Sequence, residues 1–291
     1  MAYNSVFVPG LFSGQTIVVT GGGSGIGRCT AHELARLGAH VALVGRNPEK
    51  LDRVRAEILE DGGRVSTHLC DIRDEAGVIE TVQAVLSLRG RIDGLVNNAG
   101  GQYRSELCEI STKGFQAVVQ SNLVGGFIFM REVYNRWMKQ NGGAIVNMIA
   151  DIWNGWPNFA HSGAARGGML TLSESAASEW APAGVRVNTI APGAIASSGL
   201  DTYDAKHTSY IQTQITDEIP LNRFGTEAEV SAAIVFLLSP AAAFISGTCI
   251  RVDGAAPNAR PVWGRIPHSD ASKPFNGFHR ARKPEILENA G

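Results

Sequence analysis

One stretch constrains this chain more than any other: TIVVTGGGSGIGRCTAHELARLG, residues 16–38. An apolar run stops at a cluster of glycines and turns directly into a segment with helical spacing, and a second apolar run, HVALVG, follows at 40–45. Glycines placed so permit a tight turn, close backbone approach to a pyrophosphate and close packing of helix on strand. The first amides of the helix, with the positive end of its dipole, suit phosphate. An ordinary glycine turn needs no such frame of strand, helix and strand. Gly21, Gly23, Ser24, Gly25, Ile26 and Gly27 are therefore expected to cradle a dinucleotide.

The same rhythm continues along the chain. TIVVT, HVALVG, RVSTHLC, IDGLVNNAG, GAIVNMIA, VRVNTIAPG and TCIRVDG read as seven strands, several apolar on consecutive positions, as strands buried on both faces should be. Helical patterns at about 26–37, 48–59, 76–88, 113–139, 167–180 and 227–238 supply the crossovers. The predicted fold is α/β: a single doubly wound Rossmann domain at 1–254, its seven-stranded sheet mainly parallel, with helices on both faces and an N-terminal arm at 1–13. Residues 255–291 form a C-terminal extension rich in Pro, Gly and Asn, with six Lys or Arg against three acids. It reads either as a solvated tail or as a segment packed over the substrate crevice or a neighbouring subunit, helping to hold an anionic ligand.

Composition excludes several classes. A net charge of -1 over 291 residues offers no global pull on nucleic acid or a membrane surface. Cys29, Cys70, Cys108 and Cys249 are scattered without metal-ligand spacing, so a reduced compartment and no metal are expected. No apolar run approaches the roughly 20 residues that span a bilayer, and a cytoplasmic protein is the expectation.

The second strand ends LVGRNPEK, with Gly45 where a carboxylate would grip an adenosine 2′-hydroxyl and Arg46 next to it. An arginine there suits a 2′-phosphate, so NADP(H) is favoured and NAD(H) stays possible. Pro48 and Glu49 also make this a helix start, where Arg46 could be simply solvated. Arg28 could support the same phosphate or lie on the exposed side of the first helix.

Five ordered motifs then carry a resemblance. With TGGGSGIG at 20–27, CDI at 70–72, NNAG at 97–100, SNLVG at 121–125 and APGAIASS at 191–198, the chain resembles the short-chain dehydrogenases/reductases over about 13–254. The resemblance implies that Asp71 contacts adenine beside Ile72, and that Asn98, Ala99 and Gly100 line the cofactor. It further implies that Asn122 holds a catalytic water or a helix kink, and that Ile195 meets the carboxamide in the segment begun by Pro192 and Gly193. Asn122 could instead be a helix cap or a buried amide. A homotetramer, packed through the fourth and fifth helices and the last strand, is also implied. Within the family, NNAGGQY, WMKQNGGAIVN and HSGAARGGM resemble the trans-2-enoyl-CoA and 2,4-dienoyl-CoA reductases, while MAYNSVF and FNGFHRA resemble bacterial citronellol/citronellal dehydrogenase-like proteins. The final ENAG is not a peroxisomal address.

The catalytic motif departs from the family. Counting back from VRVN, its Tyr-x-x-x-Lys falls on Ser162 and Arg166, and its serine on Ile149 or Ala150. Arg166 can bind near the nicotinamide ribose but cannot shuttle a proton at neutral pH, and its alternative is pairing with a helix-surface acid. Ser162 is a weak donor or a helix N-cap. His161 is an acid/base or a packing histidine. Asp151, at the carboxyl edge of the fifth strand, is a proton carrier if burial raises its pKa, or a capping residue otherwise. Tyr103, Tyr203 and Tyr210 are more distant candidates, the last two in a polar substrate loop at about 196–220 with Thr202, Lys206 and His207.

Reducing a ketone makes an alkoxide that needs a strong local acid, whereas reducing an enoyl thioester makes a delocalised enolate that hydrogen-bond donors can stabilise. The site therefore favours C=C reduction of an acyl-CoA or isoprenoid substrate. The alternatives are a citronellol-type alcohol dehydrogenase using Asp151 or His161 as base, and a catalytically silent dinucleotide-binding protein.

Overall fold

A computed structural model describes residues 2–202, 218–259 and 271–288. Seven parallel strands form the main sheet: β1 (Thr16–Thr20), β2 (His40–Gly45), β3 (Arg64–Leu69), β4 (Gly94–Asn97), β5 (Gly143–Met148), β6 (Val185–Pro192) and, last in the chain, β9 (Cys249–Val252). Their spatial order is β3-β2-β1-β4-β5-β6-β9, and every neighbouring pair is parallel. A two-stranded parallel ladder, β7 (Ile195–Ala196) with β8 (Gly225–Thr226), stands apart. The chain leaves β1 toward β2 on one side, then returns to place β4 on the other. That reversal opens a crevice at the carboxyl ends of β1 and β4, where doubly wound sheets bind ligands.

Alternation along the strands explains why both faces are covered. Ile17 and Val19 of β1, Val41 and Leu43 of β2, and Val146 of β5 pack into one core, while Val18, Ala42, Val44 and Ile145 pack into a second core on the opposite face. The first core is closed by α1 (Gly25–Arg36), α2 (Pro48–Glu60) and α8 (Glu227–Leu238). The second is closed by α3 (Glu75–Arg89), by the helical stretch made of α4 (Thr112–Val119), α5 (Gly125–Val133) and α6 (Lys139–Asn141), and by α7 (Ala160–Trp180). Helix starts follow their capping chemistry: Asn47 accepts from Lys50 N at 2.8 Å ahead of Pro48, and Thr226 and Glu229 form a reciprocal capping box.

Two helices differ from the sequence reading. The expected helix at 113–139 contains two π turns, Gln120–Val124 and Tyr134–Met138. The helix expected from 167 begins seven residues earlier, at Ala160, so His161, Ser162 and Arg166 all ride on α7. Glycines at 163, 167 and 168 masked that first turn, and tertiary packing of its buried face overrides their weak propensity.

The N-terminal arm meets the C-terminal extension. Asn4 N donates to Gly277 O at 2.9 Å, and Phe278 lies between Tyr3 and His32, with ring centroids at 5.7 and 5.1 Å. Arg280 pairs with Glu60 and Asp61, and its carbonyl accepts from Arg28 Nη1 at 3.1 Å. Burial works against the charged form of Asp61, yet Arg280 and His279 outweigh it and hold the carboxyl below its usual value. Further along, Phe275 O accepts from Thr226 Oγ1, and Ile286 N, in α9 (Glu285–Glu288), donates to Asp201 Oδ1 at 3.3 Å. Residues 271–288 are thus bound to α1, α2 and α8 rather than being a solvated tail. Arg260, Arg265 and Asp270 lie outside the described residues.

Among the described residues no helix is long and apolar enough to cross a membrane. Phe278 is 4% exposed and fastens both termini to the domain. Phe278→Ala should lower the unfolding free energy by about 3 kcal/mol, in the range of buried Phe truncations. A denaturant melt unchanged from the parent chain would show that the clasp adds no stability.

Candidate active site

The site begins with a latch between β1 and β4. Thr20 Oγ1 donates to Val96 O at 3.3 Å and accepts from Asn98 N and Ala99 N, both at 3.0 Å. Asn98 Nδ2 returns to Thr20 O at 3.0 Å and Gly21 O at 3.4 Å. These bonds join the glycine turn to the end of β4 and leave no room for side chains. Gly21 has φ +67, and a Cβ there would stand 2.8 Å from Asn98 Nδ2; one on Gly27 would collide with Gly21 O and, at 2.5 Å, with Asn98 Nδ2. Gly23 serves packing instead, since a Cβ on it would meet Lys50 Cβ on α2 at 3.0 Å.

Beside this turn lies a cavity of about 280 Å³. Gly21, Ser24, Gly25 and Ile26 form its floor at the start of α1, where backbone amides face the opening. Arg46, Asp71 and Ile72 line one end; Asn98, Ala99 and Gly100 line the other. Two parts of the lining were missed in the sequence. Ser197, Ser198 and Gly199 close the opening from beyond β7, and Arg73 joins Arg46. Arg73 Nε donates to Asp71 Oδ1 at 2.9 Å and, foremost by that hydrogen bonding, lowers the Asp71 pKa; Arg46 stands 3.8 Å from Asp71 Oδ2. Two guanidinium groups thus share one carboxylate at the rim. The only available signal was a basic residue two places after Asp71.

Arg28 is placed differently from either expectation. It is buried, donates to both oxygens of Glu57 at 2.8 and 3.0 Å, and lies 4.9 Å over the Phe278 ring. A position one turn into α1, between α2 and the C-terminal segment, makes it a strut rather than a phosphate ligand.

Deeper, Asn122 and Arg166 converge on Gly100. Asn122 sits in the first π turn, where one extra residue per turn rotates its side chain inward. Its Oδ1 accepts from Gly101 N at 3.0 Å, and its Nδ2 donates to Gly101 O at 2.6 Å. A Cβ on Gly100 would meet Asn122 Oδ1 and stand 2.6 Å from Arg166 Nη2. Ser162 and Arg166, four apart, share the inward face of α7. Arg166 Nη1 donates to Met148 O at the end of β5, and Arg166 Nε is buried without a partner among the described residues. Among the described residues no carboxylate pairs with it, and burial lowers its pKa to about 10. The alternative of a helix-surface ion pair is therefore excluded among those residues.

Neighbouring groups have distinct surroundings. Ser162 is no N-cap; Phe159 holds that position, and Ser162 Oγ donates to Gln102 Oε1 at 2.7 Å. His161 is fully buried, both ring nitrogens lack a hydrogen-bond partner among the described residues, and its ring stands edge-on to Tyr103 at 4.5 Å. Asp151 N donates to Pro192 O at 3.1 Å, and its Oδ1 is buried without a partner among the described residues. Burial first, and Asp253 second, raise the Asp151 pKa, while Arg251 opposes them. Asp253 and Arg251, 3.4 Å apart on and just after β9, went unnoticed in the sequence.

Pro192, Gly193 and Ile195 do not line the cavity. Gly193 packs against Asp253, and Ile195 is buried beneath Gly225. Tyr203, Lys206, His207 and Tyr210 lie outside the described residues. No group of three or more potential metal ligands gathers among the described residues.

The chain matches the protein family described as "Enoyl-(Acyl carrier protein) reductase" over residues 21–255. It is 34% identical over 257 residues to a "Peroxisomal 2,4-dienoyl-CoA reductase [(3E)-enoyl-CoA-producing]" of Danio rerio, covering 87% of this chain and 85% of that protein. Among solved structures it is similar to "citronellol catabolism dehydrogenase (AtuB)" of Pseudomonas aeruginosa PAO1, with a TM-score of 0.79 and 58% identity, over 88% of this chain and 100% of that one. It is also similar to a "putative NAD(P) dependent gluconate 5-dehydrogenase" of Beutenbergia cavernae "with bound NADP (low occupancy)", with a TM-score of 0.81 and 33% identity, over 87% of this chain and 100% of that one.

The glycine turn and the latch predict a sharp steric test. Gly27→Ala should weaken dinucleotide binding more than tenfold in a fluorescence titration, while overpacking costs the fold only about 1–3 kcal/mol. Unchanged affinity in a folded variant would mean that this turn is not the cradle.

Proposed function

The chain belongs to the short-chain dehydrogenase/reductase family of oxidoreductases, and from that premise we propose that it is an NADP(H)-dependent reductase of a C=C bond conjugated to the thioester of an acyl-CoA with an isoprenoid chain. The observation that carries this reading is the buried Arg166 guanidinium beside Asn122 and Gly100, with no carboxylate partner among the described residues. When bound, a reduced nicotinamide supplies the hydride. The glycine cradle, the cavity and the orphaned Nε of Arg166 suit such a cofactor without alteration.

Ser162 and Arg166 stand where the family carries tyrosine and lysine. Ser162 spends its proton on Gln102, so it positions the pocket wall and is not the acid. Arg166 keeps its charge at neutral pH and can hold the cofactor ribose and steady developing negative charge, but it cannot relay a proton. A site with a strong fixed donor and no tyrosine at position 162 favours an enolate over an alkoxide product. Water held near Asn122 then delivers the final proton. At the rim Arg73 neutralises Asp71, which leaves the charge of Arg46 in excess where a 2′-phosphate would lie.

A second reading has its own support. The likeness to the citronellol catabolism dehydrogenase favours an alcohol dehydrogenase acting on a citronellol-like chain, with Asp151 or His161 as base. His161 would serve through its unpartnered nitrogens and Asp151 through its raised pKa.

Incubation with NADPH and a panel of straight and branched enoyl thioesters should consume reduced cofactor, and the branched substrates should react fastest. No consumption with any of them, alongside citronellol-dependent reduction of NAD or NADP, would replace the first reading by the second. Asp151→Asn should abolish turnover only in the alcohol-oxidising case. Arg46→Ala should narrow the preference for NADPH over NADH by about tenfold, the scale of one charge-assisted contact. A preference unchanged by the variant would remove Arg46 from cofactor choice.

A further inference from the structure

The pyrophosphate cradle has an acidic neighbour that the proposed reaction does not use. Glu227 is the first residue of α8, and Thr226 and Glu229 lock that helix start with their capping box. The lock turns Glu227 toward α1: a Cβ built on Gly25 would have Glu227 Oε1 at 3.9 Å and Ser198 Oγ at 3.8 Å. Gly25 and Ser198 both line the cavity. Glu227 is only 8% exposed, and its carboxylate makes no hydrogen bond among the described residues.

The charges around it offer little relief. From α1, Arg28 is the nearest influence, but both its bonds to Glu57 already hold it on the α2 side. Cys29 on α1 feels the Glu227 charge and has its thiol pKa raised well above the usual value, chiefly by burial. Glu33 on α1 is held by the hydroxyls of Tyr3 from the N-terminal arm, Ser5 and Ser231. On its own element, Glu229 is taken by Arg223 and by Phe275 N of the C-terminal segment. Burial therefore prevails over Arg28 and raises the Glu227 pKa to about 7.

A pyrophosphate seated on the first amides of α1 would bring two negative charges to within a few ångströms of this carboxylate, with low-dielectric protein between them. Like charges so placed cannot both persist without cost, and the carboxyl is the member able to neutralise itself. We propose that Glu227 couples cofactor binding to proton uptake: the dinucleotide binds the form in which Glu227 is protonated. This rests on the dinucleotide reading of the cradle and goes beyond it by naming the residue that makes occupancy depend on pH. The sign follows directly. Well below the Glu227 pKa of about 7 the free protein already carries the proton and affinity is at its maximum; as pH rises through and above it the proton must be acquired on binding, and affinity falls until the pKa of the bound state is reached.

Calorimetric titration with NADPH and with NADH between pH 7 and 9, each in two buffers of different ionisation heat, counts the protons directly. The 2′-phosphate of NADPH has its second pKa near 6, as phosphate monoesters do, so it is fully charged over most of this range. The parent chain should take up a fraction of a proton approaching one at pH 8 to 9, and its affinity should fall by up to about tenfold per pH unit. Glu227→Gln should bind without that uptake, with an affinity flat over the range and tighter than the parent chain at pH 9. Binding by the parent chain with no proton uptake, or equal uptake in the variant, would overturn the proposal. If the variant does not fold, the absence of proton uptake by the parent chain still overturns the proposal. Failure of either dinucleotide to bind at any pH would instead overturn the cradle reading, and this proposal with it.

Discussion

A guanidinium enclosed at the carboxyl end of a parallel sheet, with no carboxylate to meet it among the described residues, is the constraint around which the site is arranged. Burying a charge unpaired is among the more costly things a fold can do. Arg166 is retained through one bond to Met148 O, and close approach to Gly100 is possible only because that residue has no side chain. The other terminal nitrogen of Arg166, Nη2, lies beside Gly100, which lines the cavity. A cation held so is preorganised: it needs no rearrangement to meet a ribose hydroxyl or a developing oxyanion, and the dry surroundings strengthen both interactions.

The rest of the architecture keeps that charge in place and sets the glycine turn near it. The parallel sheet supplies a crevice at the β1/β4 reversal, and the Thr20 and Asn98 latch fixes the turn against β4. A π turn then brings Asn122 into the same space. The two termini lie across the outside of α1, α2 and α8 and tie the helix that bears the cradle to the helix that bears Glu227. Binding chemistry and packing are therefore coupled through α1, whose first turn faces phosphate and whose later turns face the clasp.

How much of this was legible in the sequence differs by element. The sheet was readable because strands buried on both faces need consecutive apolar residues, and the cradle because its glycines answer to a close approach or, at Gly25, a positive φ. Arg28 was misplaced because a sequence does not show that Glu57 and a carbonyl some 250 residues away converge on it. The early start of α7 was hidden by glycines whose propensity packing overrode. Arg73, Asp253 and Glu227 escaped notice since each takes its meaning from a partner on another strand or helix. Ser162 was read as a weak donor or a helix N-cap, and its commitment to Gln102 could be seen only in three dimensions.

The central claim is that Arg166 does for this site what an ionisable tyrosine and lysine do elsewhere in the family, by holding charge rather than moving a proton. A crystal structure of the chain with NADPH tests it most directly. The account predicts the Arg166 guanidinium within hydrogen-bonding distance of the nicotinamide ribose, its Nε no longer without a partner. A complex in which Arg166 still bonds only Met148 O, with apolar groups between it and the ribose, would contradict it.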